Sequence, residues 1–165
     1  MTLKVAFYKG KGDIIDKLVR FWTNSKYSHT ELVIQNDNMN SYWITSHNEC
    51  NGVRVIENRL INKDDWDFIL IDNVTNENIQ KINQLLKPEL GKKYDYLGIF
   101  LSQVIPIEID NPDKWFCSEI VSYLLKNSGI KDIKVVLNYH PQYYNPGNLF
   151  DRLIKYYKKV NYDNK

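Results

Sequence analysis

The chain has 165 residues, 43% of them hydrophobic and 13% aromatic, enough to bury one core as a single domain over 1–165. Its 22 Lys and Arg against 20 Asp and Glu leave a formal charge of +2, which argues against an electrostatic nucleic-acid partner and, with the aromatic content, against disorder. No apolar run approaches the roughly 18–20 residues of an integral membrane segment.

The opening stretch Leu3–Tyr8 reads as a strand and not as a secretory signal, so the expected location is the cytoplasm. Lysine carries most of the basic charge, and the bias toward Lys, Asn and Ile is that of an AT-rich genome, such as a phage or a low-GC bacterium. Gly10 and Gly12 break the strand and Asp13 stands at an N-cap position. From Ile14 to Trp22 the apolar residues recur at helical spacing. Ser28–Gln35 alternates as a strand, with His29, Glu31, Val33 and Gln35 on one face. Further strands are predicted at Ser41–Ser46, Val53–Ile56 and Trp66–Ile71, with a turn at Asn51-Gly52.

After Asp72 the pattern becomes helical. Helices are predicted at Thr75–Leu86, Tyr94–Ile105 and Cys117–Lys126, the last closed by Gly129. Val135–Leu137 reads as a short strand and Asn148–Lys159 as a final helix. Strands first and helices afterwards is the order of an α+β domain, a small antiparallel sheet or half-barrel packed against helices.

Two cysteines, Cys50 and Cys117, are too few for a disulfide scaffold and are expected as free thiols. Cys117 sits at a predicted helix start, where unpaired N–H groups and the helix dipole favour a thiolate and can hold an oxyanion. The competing reading is an inert buried thiol. His29 opens a strand, which holds an imidazole rigidly enough for a general base, and Glu31 projects from the same face. His47-Asn48-Glu49-Cys50 offers two or three ligands with no second cluster, so neither a metal centre nor any other cofactor is expected. No phosphate-binding glycine loop or nucleophile elbow is present.

Four segments, Gly12-Asp13-Ile14-Ile15, Tyr27–Ile34, Gly91–Asp95 and Trp115–Val121, together resemble the YiiX/YebB-like branch of the NlpC superfamily, the circularly permuted papain-like hydrolases. They span about two thirds of the chain, and His29 precedes Cys117, the permuted order. The resemblance implies a permuted papain-like fold with Cys117 as nucleophile and His29 as base. The third polar residue of the family falls near Thr45, where the usual Glu is missing; Thr45 is the positional match, with Glu31 or Glu49 as substitutes. On that alignment a Glu at position 45 is expected to strengthen the pair.

Tyr94 and Ser118 are candidates for substrate or oxyanion support, with core packing as the other role of Tyr94. The implied activity is hydrolysis of an amide in a cell-wall peptide or acylated amine through a Cys117 acyl-enzyme. A lipid acyltransferase or lipase on the same fold is the alternative, its groove lined by the C-terminal aromatics Tyr139, Tyr143, Tyr144, Phe150, Tyr156 and Tyr157, which otherwise serve as core and surface. A non-catalytic phage or bacterial binding module is the third reading. The partner is then a small peptide, acyl-amine or lipid substrate.

Overall fold

The computed structural model describes residues 1–47, 52–94 and 114–162. Strand β1 (Thr2–Tyr8) leads to helix α1 (Ile14–Thr23) and strands β2 (His29–Gln35), β3 (Ser41–His47), β4 (Gly52–Glu57) and β5 (Trp66–Ile71). Helix α2 (Asn76–Leu86), short strands β6 (Lys93–Tyr94) and β7 (Lys114–Trp115), and helices α3 (Cys117–Asn127), α4 (Ile133–Val136) and α5 (Pro146–Leu153) follow, and β8 (Lys158–Val160) comes last. The architecture is α+β: a six-stranded sheet of order β4-β3-β2-β1-β5-β8, every neighbour antiparallel, carries helices, and β6 and β7 form a separate parallel pair.

Alternation along the strands divides the core into two. Leu3, Val5 and Phe7 of β1 and Leu32 and Ile34 of β2 join Ile120, Leu124, Ile133 and Leu149 of the helices in the main cluster. The opposite parity, Ala6, Val33, Trp43, Trp66 and Phe68, packs with Tyr162 in a second, aromatic cluster. Every residue of β2 is buried, as a central strand covered on both faces requires. Polar His29, Thr30 and Glu31 on this strand are therefore buried without the help of bulk water.

Local signals explain the element ends. Asp13 accepts the Asp16 N–H and Asp16 accepts the Asp13 N–H, each at 3.0 Å, a capping box that starts α1. Thr75 and Asn78 do the same for α2. Gly129, at φ +81, follows α3 as expected of a residue past a helix end.

Three expectations change. Residues Val135–Leu137 belong to the end of α4 and the turn after it: Ile133, Val136 and Leu137 stand at i, i+3 and i+4, so one helical turn buries all three. The final helix ends at Leu153, and Lys158–Val160 adds an edge strand that pairs Phe68 with Val160. Tyr94 lies in β6 rather than at a helix start, and the remainder of the helix predicted to Ile105 lies outside the described residues. Among the described residues no helix is long and apolar enough to cross a membrane.

Candidate active site

Cys117 is the first residue of α3, with Phe116 as N-cap. Glu119 accepts the Phe116 N–H at 3.3 Å, and the first intrahelical bond runs from the Ile120 N–H to the Phe116 carbonyl. The N–H groups of the first turn, Cys117 and Ser118 among them, thus lack intrahelical acceptors, the arrangement that favours an anion. The chain entering this turn is fixed from two sides. The Ser46 hydroxyl donates to the Trp115 carbonyl at 2.7 Å, and the Trp115 indole N–H donates to Glu89. Together they pin the helix start against the end of β3.

His29 begins β2 on the side of Glu31. Its Nε2 lies 3.1 Å from Glu31 Oε1 and 3.0 Å from Thr45 Oγ1. A carboxylate only accepts, so the Nε2 proton points at this pair of oxygens and Nδ1 is the nitrogen left for Cys117. The β2–β3 register pairs Leu32 with Ile44, so Glu31 and Thr45 are the next positions outward on the two strands. Glu31 reaches back along its own strand, and Thr45 comes across.

The electrostatics follow from this clustering. Burial pushes the His29 pKa down, but the facing Cys117 and the Glu31 carboxylate more than offset it, and the ring is raised to about 10. Burial pushes Glu31 up, and His29 together with the Arg59 guanidinium pulls it below the ordinary carboxylate value. Arg59 Nη1 donates to the same Oε1 that His29 uses. Its guanidinium also lies over Trp43 and Trp66, 5.8 and 5.4 Å from the ring centroids. Sequence reading missed Arg59. It stands in the irregular stretch between β4 and β5, where neither periodicity nor spacing marks a functional side chain.

A cleft of about 370 Å³ opens between α1 and the stretch carrying Arg59 and Leu60, with His29, His47, Trp66 and Tyr94 deeper in its wall. His47 stands edge-on to His29 at 4.9 Å between ring centroids, and Tyr94 lies 6.4 Å from His47. Tyr94 lines the cleft and also packs on Phe116 at 5.9 Å between ring centroids. Cys117 itself is fully buried and forms no part of the cleft surface.

The Ser118 hydroxyl donates to the Tyr144 carbonyl and is thereby turned into the core. Tyr144 and Phe150 pack in the main core, Tyr139, Tyr143 and Tyr156 are exposed, and none of them lines this cleft. Cys117 is a free thiol; Cys50 and Glu49 lie outside the described residues.

No protein-family model matches the chain, and no curated protein matches it. Among solved structures the chain is similar to the crystal structure of the metalloprotein YiiX from Escherichia coli O157:H7, with a TM-score of 0.56 and 21% identity. The match covers 78% of this chain and 66% of the YiiX chain. The likeness is one of fold: the protein is α+β with a YiiX-like arrangement of sheet and helices.

Proposed function

We propose that the protein is a cysteine-nucleophile hydrolase of permuted papain-like fold, cleaving an amide in a peptide or acylated amine. The observation that carries this reading is the placement of one imidazole between a helix-start cysteine and a buried carboxylate. His29 Nδ1 takes the Cys117 proton, and the thiolate attacks the substrate carbonyl carbon. N–H groups at the start of α3 hold the oxyanion. The C–N bond then breaks as His29 returns its proton to the leaving amine. Water, deprotonated by His29, attacks the thioester, releasing the carboxylic acid and restoring the thiol. Glu31 and Thr45 keep the Nε2 proton in place throughout and act as positioning residues. Tyr94 borders the path by which substrate arrives.

YiiX is described as a metalloprotein. The donor set here does not fit a metal: His29 Nε2 faces Glu31 and Thr45, Glu31 already holds a guanidinium, and no group of three or more His, Cys, Asp or Glu side chains converges among the described residues.

The full burial of Cys117 favours a second reading, a non-catalytic binding module in which Cys117 and His29 form a structural pair. Labelling kinetics separate the two. A working nucleophile reacts with iodoacetamide at neutral pH far faster than a model thiol or than the His29→Gln variant, and mass spectrometry finds an acyl adduct on Cys117 with an activated ester. Slow labelling, unchanged in His29→Gln, and no adduct select the binding module.

A further inference from the structure

Helix α1 is mounted with its apolar side outward. Ile14, Leu18 and Phe21 stand at i, i+4 and i+7 on one stripe. They are 73%, 42% and 80% exposed. The inward side is mostly polar: Val19 is buried, but Arg20 donates to the Gly10 and Lys11 carbonyls and to Ser28 Oγ, and the Thr23 hydroxyl bonds the Val19 carbonyl. Ile15, Asp16 and Val19 of the same helix line the cleft that leads to His29, so α1 forms one lip of it and the stripe stands on a neighbouring side of that helix. On the other lip Leu60 is 92% exposed. Exposed apolar side chains thus stand on the helix of one lip and on the loop of the other, and large apolar side chains grouped on a surface in this way mark an interaction site.

The charge around α1 indicates what covers it. Asp13 and Asp16, the acidic residues of this lip, turn their carboxylates into the capping box at the start of α1. Lys11 and Lys17 stay exposed beside the stripe. Past the C-terminal end of the helix, Lys26 shares the buried Asp67 carboxylate with Lys9 and Lys159, at 3.1, 2.7 and 3.0 Å. Three ammonium groups meet one carboxylate there. Asp151, which faces Tyr27, offsets part of that charge and leaves the patch positive. A short helix with large apolar side chains outward and lysines at its flank and end matches an anionic lipid surface: side chains enter the acyl region and lysines meet the headgroups.

We infer that the α1 stripe and Leu60 dock the protein on an anionic membrane surface, setting the His29 cleft over the lipid interface so that its substrate is an acyl-bearing molecule held there. The docking surface stands on its own geometry. The substrate class rests on the hydrolase reading of Cys117 and His29.

The test is flotation with phosphatidylcholine vesicles with and without phosphatidylglycerol, run beside sedimentation velocity of the free protein. The expected result is binding to the anionic vesicles, reduced about tenfold or more in Ile14→Ser/Phe21→Ser. Lys17→Glu weakens binding to the anionic vesicles, and Cys117→Ala binds as wild type. Iodoacetamide labelling of Cys117 in solution is unchanged in Ile14→Ser/Phe21→Ser, so loss of docking and loss of the nucleophile are separate readouts. Absence of vesicle binding by the wild type overturns the inference. So does self-association abolished by the double substitution without vesicle binding, which assigns the face to a second copy of the chain.

Discussion

Glu31 Oε1 lies 3.1 Å from His29 Nε2 although the two residues are neighbours on one face of a single strand. Glu31 reaches the ring from two positions along β2, and Thr45 on the neighbouring strand meets the same nitrogen at 3.0 Å. Glu31→Gln keeps the shape and removes the charge that holds the imidazolium. The expected outcome is a lower His29 pKa and a fall of about tenfold or more in the iodoacetamide rate at neutral pH. Thr45→Val is expected to cost less, since a hydroxyl positions the ring without countering its charge. The geometry reverses the expectation for a Glu at position 45: beside a buried Glu31 it sets two carboxylates against each other, so Thr45→Glu is expected to lower thermal stability and labelling alike.

The raised His29 pKa sets a pH dependence of stability. A ring that binds its proton more tightly when folded contributes stability that is fully present below its ordinary value of 6.5 and is lost as pH rises through about 10. Glu31 acts in the opposite sense. Held below its ordinary 4.5, it contributes stability above that value and loses it as pH falls through its native value. Urea unfolding midpoints of wild type and His29→Gln are expected to converge as pH rises from neutral toward the raised value. A constant gap across that range rules out a proton held by the ring.

Arg59 is expected to hold the site together from outside the Cys117–His29 pair. Its guanidinium donates to Glu31 and spans two indoles, so Arg59→Met keeps bulk over Trp43 and Trp66 while leaving the buried carboxylate with one cation fewer. The expected loss is about 2 kcal/mol, below the usual cost of breaking a fully buried pair because Arg59 is partly exposed. With its competitor gone, Glu31 bonds His29 alone, so the ring pKa is expected to rise. Denaturant unfolding measures the first effect and NMR titration of the imidazole the second. Arg59→Lys restores charge without the planar fork and is expected to recover only part of the stability.

The parts of the site that periodicity governs were legible in the sequence. Strand parity places His29 and Glu31 on one face, and the apolar repeat that begins after Cys117 places it at a helix start. Arg59 was not legible, because it works from an irregular connection whose path is set only by tertiary packing. The stripe from Ile14 to Phe21 announces an amphipathic helix, but its period says nothing about which way the stripe faces. That direction is decided by Arg20, whose guanidinium needs the Gly10 carbonyl and Ser28 beneath the helix. Strand β8 escaped because three residues carry no period, and Val160 becomes strand only by pairing with Phe68.

Gly52 links the sheet to the segment that carries Tyr94. At φ +128 it occupies backbone space that side chains disfavour, and a Cβ there would meet the Lys92 carbonyl oxygen at 1.9 Å. The close approach is what lets the Val53 N–H donate to Lys92 and the Gly91 N–H donate to Val53, each at 2.9 Å. Both bonds fix the 91–94 stretch whose last residue borders the cleft. Gly52→Ala is therefore expected to push that stretch off β4, costing about 2–4 kcal/mol and lowering Tm by about 10 °C. Loss of the two bonds also frees Tyr94 from its position between His47 and Phe116, so substrate turnover and Cys117 labelling are expected to shift together. Val53→Ala, which trims a core side chain but keeps both backbone bonds, is the control: comparable destabilisation with an unchanged labelling rate assigns the effect of Gly52 to the position of the 91–94 stretch and not to stability alone.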